Sequence, residues 1–154
     1  MHVLRLLVLG LAFLCLPLQA EDVAPAPANP ELAKRLGADD YGMRQYILVI
    51  LRTGPNKMPE GEARKAMFAG HFANMGRLAE EGKLALAGPF GQNGDGWRGL
   101  FIMTTASVEE ARSWTETDPV IVNGEMVADY VPWYGSAALM QVGEIHKTIA
   151  AQSP

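Results

Sequence analysis

Residues 46–52 read YILVILR, from Tyr46 to Arg52. Large aliphatic and β-branched side chains stand at both alternating parities, which predicts a central strand buried on both faces. Thr53-Gly54-Pro55-Asn56 ends it. From Glu62 to Glu81 the period becomes helical. Met67, His71, Met75 and Leu78 fall on one face, flanked by Phe68, Phe72 and Ala79, while Glu62, Arg77 and Glu80 point away. Gly82 is the expected left-handed residue after the helix. Leu84 to Ala87 reads as a short strand, and a glycine-rich connection from Gly88 to Gly99 leads to a second, Leu100 to Thr104, so the two should form a hairpin. Ser107, with Glu110 three residues on, is a capping box that opens a helix through Ala111 and Trp114, stopping near Asp118-Pro119. Met126 to Tyr134 is the last strand, placed at a sheet edge by Pro132. The order β-α-β-β-α-β predicts an α+β, ferredoxin-like unit.

Outside this unit the chain reads differently. A basic start with Arg5, an apolar run from Leu6 to Leu18 and the small-residue exit Gln19-Ala20 have the form of a secretory signal peptide. The run is shorter than the roughly 20 residues a membrane span needs. Cleavage is expected after Ala20, giving a periplasmic or secreted protein with no membrane partner. A Pro/Ala-rich tether follows from Val23 to Asn29. Asn29 then caps a short helix, with Pro30 at its first position and Gly37 past its end. Ala138, Val142, Ile145 and Ile149 recur at helical spacing, which suggests an amphipathic C-terminal helix packed on the body or on a partner. The expected organisation is a leader over 1–20, linker and short helix over 21–43, the ferredoxin-like domain over 44–136 and a helical tail over 137–154. Two helices cover one sheet face only, yet the central strands are apolar on both, so a homodimer is expected to cover the second.

The 154 residues suit one well-buried domain. Net charge is −4, from 13 Lys plus Arg against 17 Asp plus Glu, and loss of Arg5 with the leader leaves 12 against 17, or −5. Such an acidic chain is a poor nucleic-acid binder. The leader would also remove His2 and Cys15, the one cysteine, leaving no disulfide, no thiolate and only His71 and His146. GDGWRG, Gly94 to Gly99, has dinucleotide-loop spacing but leads into a strand, where phosphate binding needs a helix N-terminus. Met67, His71 and Met75 could hold Cu(I), but methionines at core spacing are far more often packing. No cofactor and no metal is expected.

His71 is the first candidate for chemistry, because an imidazole can both take and return a proton near neutral pH. The plainer reading is a core histidine bonded to a carbonyl. Asp118 is its candidate partner, and here too a structural reading competes: Asp118 capping a new turn that begins at Pro119 and ends at Gly124. Arg98, and more weakly Arg64, could bind an anionic substrate, although such arginines are commonly solvated or paired with acids. Trp133 and Tyr134 could wall a pocket for a planar small-molecule ligand, though aromatics at a strand end are usually core or interface.

GHFANMGRLAEEGKLALAGPFG, GWRGLFIM, SVEEARSWTETDPVIVNG and VPWYG, in this order and with these gaps, resemble the YciI-like (YCII-related) proteins over roughly Tyr46 to Gly135. The resemblance implies dimeric α/β barrels of ferredoxin-like units. It also implies an active site formed by a His/Asp pair in a cleft, which falls here on His71 and Asp118. Most members lack an assigned reaction, though one relative eliminates chloride from a hydroxylated aromatic ring. The leader, the extension from Pro30 to Met43 and the C-terminal helix depart from the short members. The expected function is therefore that of an exported small-molecule enzyme of isomerase or lyase type. The alternative is a dimeric module that binds a small ligand without turnover, and a structural or interaction protein docking through its C-terminal helix comes third.

Overall fold

The computed structural model describes residues 29–152, so the expected leader, its cleavage point and the tether up to residue 28 lie outside the described residues. The first helix, α1 (Pro30–Leu36), has the predicted caps: Asn29 Oδ1 accepts from the Leu32 amide at 3.0 Å, and Gly37 is left-handed at φ +66°. After it come β1 (Met43–Thr53), α2 (Glu62–Glu80), β2 (Leu84–Pro89), β3 (Trp97–Met103), α3 (Val108–Thr115), α4 (Pro119–Val122) and β4 (Met126–Ser136). A 3₁₀ turn (Ala137–Gln141) and α5 (Val142–Ile149) are the last elements among the described residues.

The sheet order is β2-β3-β1-β4 with every neighbour antiparallel, the ferredoxin-like arrangement. β1, which holds YILVILR, is central, and it is longer than that run because Met43 to Gln45 pair with Ser136 to Tyr134. β4 is an edge strand, as Pro132 requires: a missing N–H is tolerated where one side of the strand has no neighbour.

Alternation along β1 sorts its side chains between two layers. Ile47, Val49 and Leu51 face the helices and form the main core with Met67, Leu78, Phe101, Met103, Ala111 and Val120. Tyr46 points to the opposite face, where it meets Ala85, Ile102 and the partly buried Leu48, Leu86, Leu100 and Trp133. Among the described residues the second face is thus only half covered, with Tyr46 fully buried but Leu48 and Ile50 not. Its cover is Leu139 and Met140 from the 3₁₀ turn. α5 forms as expected and lies against β2, but of the stripe Ala138-Val142-Ile145-Ile149 only Val142 is partly buried, and Ile145 and Ile149 are 57% and 74% exposed.

The capping box is also modified. Ser107 Oγ accepts from the Glu110 amide at 3.2 Å, as expected, but the Glu110 carboxylate accepts from the Thr105 hydroxyl instead of the Ser107 amide. Thr105 Oγ1 takes that amide at 3.0 Å, so a third side chain completes the reciprocal pair.

Candidate active site

His71 lies near the middle of α2 on the face that packs against the sheet, its side chain 9% exposed. Three aromatic rings hold it. Phe101 from β3 stacks at 6.0 Å between centroids, Phe68 meets it edge-on at 6.2 Å and Phe72 lies at 5.4 Å. Apolar walls of this kind leave a polar ring few ways to satisfy its nitrogens.

Asp118 supplies one of them. α3 ends at Thr115, and Asp118 opens α4, accepting from the Val120 amide through Oδ1 at 3.1 Å. Its other oxygen, Oδ2, is 2.8 Å from His71 Nδ1. Capping and pairing are therefore simultaneous, one oxygen for each. Asn74, one turn beyond His71, brings its Nδ2 to 3.4 Å from the same Oδ2. The carboxylate is fully buried yet meets three N–H donors, which is what a charge removed from water requires.

A carboxylate only accepts, so the Nδ1 contact places the imidazole proton on Nδ1 and leaves Nε2 with its lone pair. Nε2 has no hydrogen-bond partner among the described residues. Arg64 Nε is the one buried side-chain nitrogen or oxygen without a partner among them, so Nε2 is at the accessible end of the ring. The arrangement is an oriented imidazole with a carboxylate behind it and a free nitrogen in front, able to take up or deliver a proton.

Two further features set this geometry. Asn74 Oδ1 accepts from Arg77 Nη2 at 2.7 Å and from Thr117 Oγ1 at 2.9 Å, which fixes the amide with its nitrogen toward Asp118. Gly70, next to His71, faces Pro119, next to Asp118: a Cβ added at Gly70 would stand 3.0 Å from Pro119 Cγ. The missing side chain lets α2 and α4 approach closely enough for the pair to meet.

The other candidate residues lie elsewhere. Arg98 lines a cleft of about 260 Å³ with Thr53, Phe90, Asn93 and Trp97, a cleft that neither His71 nor Asp118 reaches. Val49 pairs with Phe101, against which His71 stacks, and Arg52 pairs with Trp97, which separates the two places by roughly 10 Å along the strand. Tyr134 is toward the opposite end, opposite Gln45, with its hydroxyl donating to Asp39. That bond pushes the Tyr134 phenol up and helps hold the Asp39 carboxyl low. Arg64 is ion-paired, with Nη2 at 2.8 Å from Glu125 Oε1 and Nη1 at 3.1 Å from Glu60.

Sequence reasoning missed Asn74, Phe101 and Glu125. Glu125 is buried, and its Oε2 accepts from the Met58 amide at 2.7 Å, so it ties the loop after β1 to the start of α2. The Met58 N–H, followed by the Arg64 guanidinium, holds its carboxyl below the usual carboxylate value. The Asn74 signal was available: a polar residue three positions after His71 shares its face.

A family model described as YCII-related domain matches residues 45–134. Among solved structures, the chain is similar to 5-chloro-2-hydroxyhydroquinone dehydrochlorinase from Burkholderia phenoliruptrix AC1100, in complex with 2,5-dihydroxybenzoquinone. The two are 23% identical, and the match covers 56% of this chain and 90% of that one with a TM-score of 0.40. No curated protein matches.

Proposed function

This chain belongs to the YCII-related domain family, and from its paired histidine and aspartate we propose that it acts on a small organic molecule by proton transfer, in an isomerisation or an elimination. The observation that carries this reading is the 2.8 Å contact between His71 Nδ1 and Asp118 Oδ2, with Nε2 left open. Nε2 takes a proton from an acidic C–H, the imidazolium that forms faces the Asp118 carboxylate, and the proton returns to another carbon or oxygen. In an elimination a leaving group departs with the electron pair instead. Asp118 is the orienting residue: it fixes the tautomer and offsets the charge on the ring. A positioned acid/base of this kind contributes about 10²- to 10⁴-fold in rate.

The half-covered second sheet face supports a homodimer as the working form, and the leader supports export. Val131, on the outer face of β4, is 44% exposed beside the partly buried Leu48 and Trp133. A second copy of the sheet would cover this apolar surface.

The test is hydrogen–deuterium exchange at acidic C–H positions of a panel of enolisable lactones, 2-oxo acids and hydroxylated aromatics, followed by proton NMR in D₂O. The wild-type protein accelerates exchange of at least one compound, His71→Asn falls to background, and Asp118→Asn falls by about 10²-fold. Equal rates with wild type and His71→Asn across the panel would overturn the proposal.

A further inference from the structure

We propose that the cleft at the β2–β3 hairpin is a second binding site, separate from the His71–Asp118 pair, and that it takes a single-ring aromatic carboxylate. The hairpin loop is braced by its own hydrogen bonds. Asn93 Nδ2 donates to the carbonyls of Gly91 at 2.8 Å and Trp97 at 2.9 Å, and its Oδ1 accepts from the amides of Asp95 at 3.2 Å and Trp97 at 3.0 Å. The Gly96 carbonyl accepts from the Thr53 amide at 2.9 Å, which fastens the loop to the end of β1. A ligand therefore meets a preformed wall and bears little ordering cost.

Two features of that wall leave binding groups open to a ligand. Phe90 and Trp97 pack against each other at 5.3 Å, yet remain 36% and 40% exposed, presenting ring surface to the cleft. Arg98, half-buried beside them, forms no ion pair and no side-chain hydrogen bond among the described residues, and only the field of its charge reaches the buried Glu125 carboxylate. The neighbouring arginines are engaged, Arg52 by Asp129 and Arg64 by Glu125 and Glu60. Asp95, the acid of the same loop, makes no ion pair with Arg98 either. A guanidinium is a planar fork of donors that suits a carboxylate bidentately, and aromatic faces suit a flat ring. A volume of about 260 Å³ exceeds the ~150 Å³ that holds benzene and lies below the usual ~300–1,000 Å³ of ligand pockets. One ring bearing one carboxylate fits that space.

The probe is benzoate, titrated into ¹⁵N-labelled protein while the Trp97 indole N–H is followed, with benzyl alcohol as the uncharged control. Benzoate is expected to shift that signal saturably at millimolar concentration. Arg98→Gln should weaken binding about tenfold or more, Arg98→Lys by less, and His71→Asn should leave it unchanged. The proposal is overturned if benzoate gives no saturable shift, if benzyl alcohol binds as well, or if both Arg98 variants bind like wild type. Loss of binding in His71→Asn would also overturn it, by assigning the benzoate to the dyad, and it would leave the acid/base reading of that pair intact.

Discussion

Gly70 and Gly76 both lie inside α2, and replacing each with alanine should have opposite effects. On helix propensity alone either change stabilises by about 0.8–1.0 kcal/mol. At Gly76 nothing stands within 4 Å of the new Cβ, so the gain should appear nearly in full. At Gly70 the Cβ would meet Pro119 Cγ at 3.0 Å, roughly 0.5–1 Å inside the separation at which carbons attract. Pro119 is a rigid ring, so the strain is relieved by moving α4 away from α2. Overpacking costs about 1–3 kcal/mol, which outweighs the propensity gain and leaves Gly70→Ala destabilised by roughly 0–2 kcal/mol. The displaced proline carries Asp118 with it, and a shift of a few tenths of an ångström stretches the 2.8 Å contact toward the ~3.2 Å limit of a good hydrogen bond. Urea denaturation measures the stabilities, and the ¹⁵N shifts of the His71 ring report the tautomer. Gly76→Ala should be more stable than wild type with its imidazole signals unchanged; Gly70→Ala should be less stable, with its imidazole signals shifted from those of wild type. A Gly70→Ala protein that gains stability as Gly76→Ala does, with His71 unperturbed, would refute the reasoning that this close approach assembles the pair.

Asp118→Ala removes the cap of α4 and strands the His71 and Asn74 donors, so chemical denaturation should show a loss of about 2–4 kcal/mol. Asp118→Asn can keep the cap through its carbonyl oxygen while presenting N–H to His71, so it should cost less than the alanine variant and reverse the tautomer in the ¹⁵N spectrum. The Glu125 carboxyl is held below its ordinary value of 4.5 by the Met58 amide and Arg64, so the unfolded chain binds the proton more readily. Its contribution is complete above that value and is lost as pH falls through the folded one. Glu125→Gln should therefore be less stable at neutral pH and show a shallower acid limb in melting temperature measured against pH. Wild-type protein should scatter light as a dimer at micromolar concentration, and Val131→Lys as a monomer with an unchanged circular dichroism spectrum; a monomeric wild type would remove the second sheet face as an interface.

What the sequence revealed and what it concealed divide according to the range of the interactions. Caps are local, so Asn29, Pro30 and Gly37 bounded α1 to the residue, and the period change between Arg52 and Glu62 placed the first strand and its helix. The buried face of α2 was less certain. Met67-His71-Met75-Leu78 and Met67-His71-Asn74-Leu78 both fit a 3.6-residue period, and hydrophobicity favours the first. The structure buries the second and leaves Met75 at the margin of the core, because Asp118 and Thr117, some 40 positions downstream, supply partners for the amide. The spacing admits Asn74 to this face, but no local signal chooses it over Met75. Asp118 itself presented a choice between cap and acid/base partner that disappears once its two oxygens are considered separately. One is bound to the backbone of α4, and this binding orients the other toward His71. The cap thus positions the carboxylate, Gly70 sets the distance, and the histidine receives a partner already fixed in place. A substitution that spares the cap but disturbs the distance, or the reverse, should separate these two contributions, since each acts on a different atom of the same side chain.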